Sequence, residues 1–413
     1  MNILLERCAG LDVHKKSVVA CRITRMPNGR EEKAVRSFGT MTADLLLLGD
    51  WLRAAGVTHV AMESTGVYWK PIFNLLEAEF VIILVNAKHI KYVPGRKTDV
   101  KDAEWIADLL QHGLLKASFI PPAPQRALRE LVRYRLQLTQ ERTREVNRVQ
   151  KVLEDANIKL GMVATNVLGA SGRAMLEAIV SGAEDPHALA ELAKASLRKK
   201  IAELERALTG RVQDIHRLLL QLHLEHIDDL NAMIHTLGQE VDRLVVAFNT
   251  EDQIQRLDAI PGVGPEVAHM ILAEVGTDMT RFPSSAHLAS WAGLAPGKNE
   301  SAGRNQSSRT SPGKRFLKVS LVQAAHAASC AKNTYLSALF RRIAARRGRK
   351  RAAIAVARSI LVIAYHMLRD GTEYRDLGSN YFDMRDEQQV QRRLVKRLEQ
   401  LGLKVTVQPA SSA

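Results

Sequence analysis

The order of segments over residues 7 to about 115 constrains this chain more than any other feature. CAGLDVH (8–14) and SVVACRIT (17–24) read as strands, and only Lys15 and Lys16 separate them, so they predict a hairpin. KAVRSFGT (33–40) is a third strand candidate. TADLLLLGDWLRAAG (42–56) has Thr42 as a cap, a leucine-rich body and Gly56 as a stop, which predicts a helix. THVAMES (58–64) is a fourth strand, and YWKPIFNLLEAE (68–79) is a helix with Pro71 near its first turn. FVIILVN (80–86) is a buried fifth strand. KTDVKDAEWIADLL (97–110) then predicts a helix with Thr98 as N-cap and Asp99 at the positive end of its dipole. The order β-β-β-α-β-α-β-α demands an α/β unit, a mixed sheet with helices on its faces.

A hairpin-rich start followed by βα alternation resembles a ribonuclease H-like (RuvC-like) domain. In that layout the first and fourth strands are neighbours and the last helix crosses their ends. Asp12 sits on the first strand, sharing a face with Gly10 and His14, and Glu63 ends the fourth. In the last helix Ala103, Ile106, Ala107 and Leu110 recur at helical spacing, and Asp99 and Asp102 lie on or beside that stripe. Four carboxylates from separate segments thus head for one point. Like charges at contact repel by about 4 kcal/mol per pair at an effective dielectric of 20, so the cluster needs a cation. Oxygen donors without a Cys or His cluster suit Mg²⁺, with Mn²⁺ as a substitute. Two such ions would stabilise the attacking and leaving oxygens of a phosphodiester. Taken singly, each acid has an ordinary alternative: a turn-proximal surface residue for Asp12, a first-turn helix residue for Asp99, a solvated partner of Lys101 or Arg96 for Asp102. Asp108 reads as structural.

The 413 residues leave room for two or three domains. The charge balance is the unusual feature of the composition: 59 Lys+Arg against 44 Asp+Glu, a formal charge of +15. That excess favours a polyanionic partner, most simply nucleic acid. It is also localised, because no acid occurs between Glu300 and Asp370, a span that contains RRIAARRGRKR (341–351). Cys8, Cys21 and Cys330 provide neither a disulfide framework nor zinc spacing, as expected in a reducing cytoplasm. The N-terminus has no signal-peptide pattern, and FVIILV is too short to span a bilayer, so no membrane partner is expected.

From PPAPQ (121–125) the texture changes. Residues 125–157 and 186–248 read as long charged helices forming a helical hairpin or coiled coil, interrupted by GMVATNVLGASGR (161–173). In LDAIPGVGPEVAHMILAEVG (257–276) the P-G-V-G resembles a helix-hairpin-helix, whose Gly262 and Gly264 would offer backbone N–H groups to a phosphate; the alternative is a tight helix–helix turn. A Ser-, Gly-, Asn- and Arg-rich loop (299–313) leads to helices at about 314–330, 333–347 and 350–370, and a polar, partly disordered tail is expected after 371. The expected domains are therefore 1–120, 121–250, 251–372 and the tail 373–413. Lys97, Arg304, Arg309, Lys314 and Arg315 are candidate nucleic-acid contacts.

GLDVHK, AMESTGVYW, KTDVKDAEWIA, IPGVGPEVAHMILAEVG, RFPSSAHLASWAGLAPGKNESAG and RFLKVSLVQAA together resemble the DEDD transposases of bacterial insertion sequences, across roughly residues 8–370. The resemblance implies that Asp12, Glu63, Asp99 and Asp102 form the carboxylate tetrad of a RuvC-like domain. It implies a coiled coil and a C-terminal, mostly helical transposase domain with a catalytic serine. NESAG matches the serine segment and points to Ser301, with Ala302 where the family often has Gly; Ser307, Ser308 and Ser311 are nearby alternatives. A phosphoserine–DNA intermediate, a guide (bridge) RNA, double-stranded donor and target DNA, a homodimer or homotetramer and a bacterial, nucleoid-associated location are likewise implied. Three other readings compete: a metal-dependent, junction-resolvase-like endonuclease with water as nucleophile, a sugar-kinase-like ATPase suggested by GLDVHK, and a non-catalytic nucleic-acid-binding protein.

Overall fold

The computed structural model describes residues 3–26, 29–64, 66–86, 102–296, 300–301, 304–305, 310, 313–385 and 387–407. It divides into two compact units, Met1–Pro121 and Pro122–Ala413. The first holds β1 (Arg7–Val13), β2 (Ser17–Arg25), β3 (Glu31–Gly39), α1 (Thr42–Ala54), β4 (His59–Glu63), α2 (Trp69–Leu76), β5 (Val81–Val85) and α3 (Asp102–Gln111). The sheet order is β3-β2-β1-β4-β5. β1 and β3 each pair antiparallel with β2, while β4 pairs parallel with β1 and β5. This is the mixed α/β sheet that the segment order demands, with the first and fourth strands adjacent.

Both faces are covered, which explains why these strands are so apolar. Ala9, Leu11, Val13, Val60 and Met62 share one core with Leu45, Leu48 and Leu52 of α1 and Ile72 and Leu76 of α2. Cys8, Cys21, Ile23 and Ala61 share the opposite core with Ala103, Ile106, Ala107 and Leu110 of α3. The stripe read from the sequence is the face α3 buries. The Thr98 cap lies outside the described residues.

In the second unit α4 (Ala123–Asp155) and α5 (Asp214–Ala247) run antiparallel. His216 meets Asp155 at one end, while Arg142 donates to Asn231 further along. The single helix expected over 186–248 is broken. Pro186–Glu191, a 3-10 turn Ala195–Lys200 and Ile201–Leu208 precede α5. At the last interruption Gly210 permits a close approach, since a Cβ there would stand 2.6 Å from the Ala156 carbonyl oxygen. The chain there turns against the end of α4, with the Arg211 N–H donating to that same oxygen. These short helices, with Leu160–Val163 and Ala170–Val180, enclose a core of their own that includes Leu153, Met175, Ile179, Leu204 and Leu224.

The boundary expected near 250 does not separate cores. Leu128, Val132, Val241 and Val245 from the open end of the hairpin share one core with Leu257, Ile271, Leu321, Val356 and Ile360. Those residues belong to Glu251–Asp258, α6 (Pro265–Val275), α8 (Arg315–Cys330) and α10 (Arg349–Asp370), with α7 (Ser285–Trp291) and α9 (Tyr335–Arg347) completing the bundle. α10 is long and apolar enough to cross a membrane by length and composition. Its Ala352, Val356, Ile360, Leu361 and Ala364 are instead buried in this core. The tail expected to be partly disordered contains helices Tyr381–Met384 and Glu387–Gln400, and the Tyr381 ring packs edge-on against Tyr335 at 5.2 Å.

Candidate active site

The last pair of the β1–β4 ladder is Leu11↔Met62, so Asp12 and Glu63 are the next residue on each strand. Side chains alternate along a strand, which puts Asp12 on the face of Cys8 and Gly10, and Glu63 on the face of Ala61. That is the face covered by α3. The helix runs antiparallel to β1: Leu4 and Leu5 donate to the Gln111 carbonyl at its last residue, while Gly10 meets Ala103 and Ala107 near its start. Its first residue, Asp102, therefore lies toward the carboxyl ends of β1 and β4, the end that carries Asp12 and Glu63.

Gly10 makes this crossing possible. A Cβ there would stand 2.3 Å from the Ala103 carbonyl oxygen and 2.4 Å from the Ala107 nitrogen. Only a glycine lets the helix backbone lie this close on the strand.

Asp12 is 24% exposed and its Oδ2 lies 3.0 Å from His14 Nε2. Asp102 is exposed, while Ala103 and Ile106 beside it are buried. Asp102 sits at the solvent edge of the stripe. Asp99 and Lys97 lie outside the described residues. Among the described residues no group of three or more His, Cys, Asp or Glu is gathered closely enough to hold a metal ion. The fold thus brings three of the four acids to one end of one sheet. Their donor set, carboxylate oxygens alone, is that of a hard divalent cation. Asp108 plays another part, pairing with Lys33 at 2.5 Å.

Ser301 lies in a short antiparallel ladder of β6 (Glu300–Ser301) and β7 (Arg304–Asn305). Ser301 is the register partner of Arg304, so the two flank a two-residue connection. The loop is tied at its base by a Pro296↔Thr310 bridge, and Lys318 Nζ donates to Thr310 Oγ1 at 2.5 Å. Gly313 lies so close to the backbone at Gly293 that a Cβ would stand 2.3 Å from its nitrogen. Arg309, Ser307, Ser308 and Ser311 lie outside the described residues.

The other expected nucleic-acid contacts divide. Arg315 is exposed at the start of α8. Lys314 is half-buried, with Nζ 5.2 Å from the centre of the Trp291 ring, and burial pushes its pKa down while Glu274 opposes that shift. Gly262 has φ +86°, and a Cβ there would stand 2.3 Å from the Ala324 carbonyl oxygen, so it serves a close crossing over α8. Gly264 faces open space as the N-cap of α6.

Glu274, which sequence reasoning passed over, organises this region. Its carboxylate is fully buried and accepts from Arg133 Nε at 2.5 Å and Nη2 at 2.9 Å. Arg129 donates to the carbonyls of Ala273 and Glu274 at 3.0 and 2.7 Å, satisfying the end of α6. Burial pushes the Arg129 guanidinium down to about 10, against the attraction of Glu274. The signal was one acid inside the mostly apolar AHMILAEVG, a residue that cannot be buried without cationic partners.

Comparison with known proteins agrees with this layout. A transposase model of the DEDD, IS110 type matches residues 9–158, and a model described as Transposase IS116/IS110/IS902 family matches 254–341. A protein of Pseudomonas aeruginosa described as a probable family 20 transposase is 27% identical over 333 residues, 79% of this chain and 88% of that protein. An uncharacterized protein of insertion element IS110 from Streptomyces coelicolor is 30% identical over 308 residues, 68% of this chain and 73% of that protein. The transposase for insertion sequence element IS1111A of Coxiella burnetii is 25% identical over 301 residues, 71% of this chain and 72% of that protein. With α3 laid over the acid-bearing ends of β1 and β4, and both models matched in order, this chain belongs to the DEDD-type IS110 family of DNA transposases.

Proposed function

We propose that this transposase cuts and rejoins DNA with Ser301 as nucleophile, assisted by Asp12, Glu63, Asp99 and Asp102 as ligands of Mg²⁺ or Mn²⁺. The observation that carries the reading is the convergence of β1, β4 and the start of α3 on one end of the sheet. Divalent ions, when bound, would offset the repulsion among the carboxylates and stabilise charge on the phosphodiester oxygens. The Ser301 oxygen attacks phosphorus, a phosphoserine bond forms, and one DNA strand leaves as a free hydroxyl. Attack by the hydroxyl of another strand reverses the step and releases the serine, so bond energy is conserved without a nucleotide cofactor. Arg304, the register partner of Ser301, is the residue we assign to hold the non-bridging oxygens. A guide RNA, and a homodimer or homotetramer formed through the 125–248 helices, belong to the same proposal.

The test is chemical. Ser301→Ala should abolish an SDS-stable protein–DNA adduct, and Asp12→Asn should abolish recombination while the protein stays folded. An undiminished adduct in the serine variant refutes the choice of Ser301. Metal-dependent cleavage by the unaltered protein with no adduct at all would favour the endonuclease reading. RNA that co-purifies and directs joining of two duplexes would support guidance.

A further inference from the structure

The run at residues 341–351 has no part in the site described above, yet it is the densest charge in the chain. Arg346 and Arg347 end α9, Gly348 turns the chain with φ +80°, and Arg349, Lys350 and Arg351 begin α10. Every residue from 345 to 351 is exposed. The scaffold beneath is well packed, with Leu336, Phe340, Ala352, Ala353 and Val356 all buried in one core. The Arg349 guanidinium is seated 6.0 Å from the centre of the Phe340 ring.

Some cations elsewhere in the second unit have acidic partners. Arg173 pairs with Asp228 and Glu177, Arg198 with Glu191, and Arg243 with Glu240. Among the described residues, Arg346, Arg347, Lys350 and Arg351 have none. Arg346 and Arg347 lie at the negative end of α9, which suits them, but Arg349, Lys350 and Arg351 crowd the positive end of the 22-residue α10, where acids belong. A tip that is exposed, dense in unpaired cations and partly held against a helix dipole is matched to an anion from outside the chain.

We propose that the α9–α10 tip is a docking surface for the phosphate backbone of double-stranded DNA, distinct from the Ser301 loop and the carboxylates. The proposal rests on the family's action on DNA. The tip's side chains favour a duplex over unpaired RNA. Residues 345–351 are Ala, Arg, Arg, Gly, Arg, Lys and Arg, with no aromatic or large apolar side chain, so an unstacked base would have only guanidinium planes to rest on, whereas each cation can meet a phosphate. Such a surface grips phosphates without reading sequence.

The experiment compares full-length protein with the variant Arg346→Ala/Arg347→Ala/Lys350→Ala/Arg351→Ala, measuring affinity for a duplex of unrelated sequence over a salt series. Each lost phosphate contact should flatten the log–log salt slope by about 0.9 and weaken binding by about fivefold at physiological salt. At least two contacts should be lost, a loss of roughly 25-fold or more. Arg243→Ala, which removes a paired cation, should bind as the unaltered protein does. Lys350→Glu is the fallback if the multiple variant does not fold, with a loss of at least about fivefold. An unchanged slope and affinity in a folded variant would overturn the proposal. So would a loss confined to a single-stranded RNA of equal length. Duplex affinity is read without divalent metal and without cleavage, so failure of the catalytic reading and failure of this one give different results.

Discussion

Gly10→Ala tests the link between packing and chemistry most directly. The added methyl carbon would stand 2.3 Å from the Ala103 carbonyl oxygen and 2.4 Å from the Ala107 nitrogen. Both are backbone atoms, so no rotamer change relieves the clash. Ordinary contact begins near 3.4 Å, and α3 must therefore back away from β1 by about 1 Å. Overpacking of this kind costs about 1–3 kcal/mol, which a unit with two well-filled cores tolerates. The catalytic effect should be larger, because α3 carries Asp102 and β1 carries Asp12. A misplacement of about 1 Å in a catalytic constellation costs on the order of 100-fold in rate. The assay pairs recombination of a reporter substrate by purified protein with urea denaturation followed by circular dichroism. The expected result is a folded protein with modestly lower stability and activity down by about two orders of magnitude. Activity within about threefold of the unaltered protein would show that the spacing of α3 and β1 does not set the geometry of the acids.

Two further outcomes follow from the buried groups. Glu274→Gln leaves the guanidinium of Arg133 and the half-buried Lys314 without their shared countercharge, and should destabilise the second unit by roughly 3–5 kcal/mol in chemical denaturation; a loss below about 1 kcal/mol would place the pair among ordinary surface salt bridges. Burial pushes the Cys8 thiol up to about 12, with the neighbouring Cys21 adding to the shift. Its contribution to stability is present below the unfolded thiol's value of about 8.5 and is lost as pH rises toward 12, because only the unfolded chain ionises in that window. Maleimide should accordingly label exposed Cys330 fast and Cys8 and Cys21 only on unfolding, as counted by mass spectrometry.

Much of the first unit was legible in the sequence because its signals are local. Strand alternation, the KK turn and the leucine-rich helix follow from short-range sterics, and the segment order leaves few ways to lay out the sheet. The face of Asp12 and the buried stripe of α3 follow from periods of 2 and 3.6 alone. Helix continuity over 186–248 was misread for the converse reason. Thr209 and Gly210 are poor helix formers and mark one break, but the approach of Gly210 to the end of α4, which the tertiary packing requires, is not encoded locally.

The sequence by itself determined which residues are charged, which are apolar and with what period, and hence the mixed sheet, the acid-bearing strands and the basic tip. The tertiary structure alone decided partnership. It laid α3 on Gly10, buried Glu274 between Arg129 and Arg133, and gave Gly262 to a helix crossing while leaving Gly264 open. The physical reason is range: periodicity acts over one or two turns of chain, whereas partnership is settled by which distant surfaces exclude water from each other.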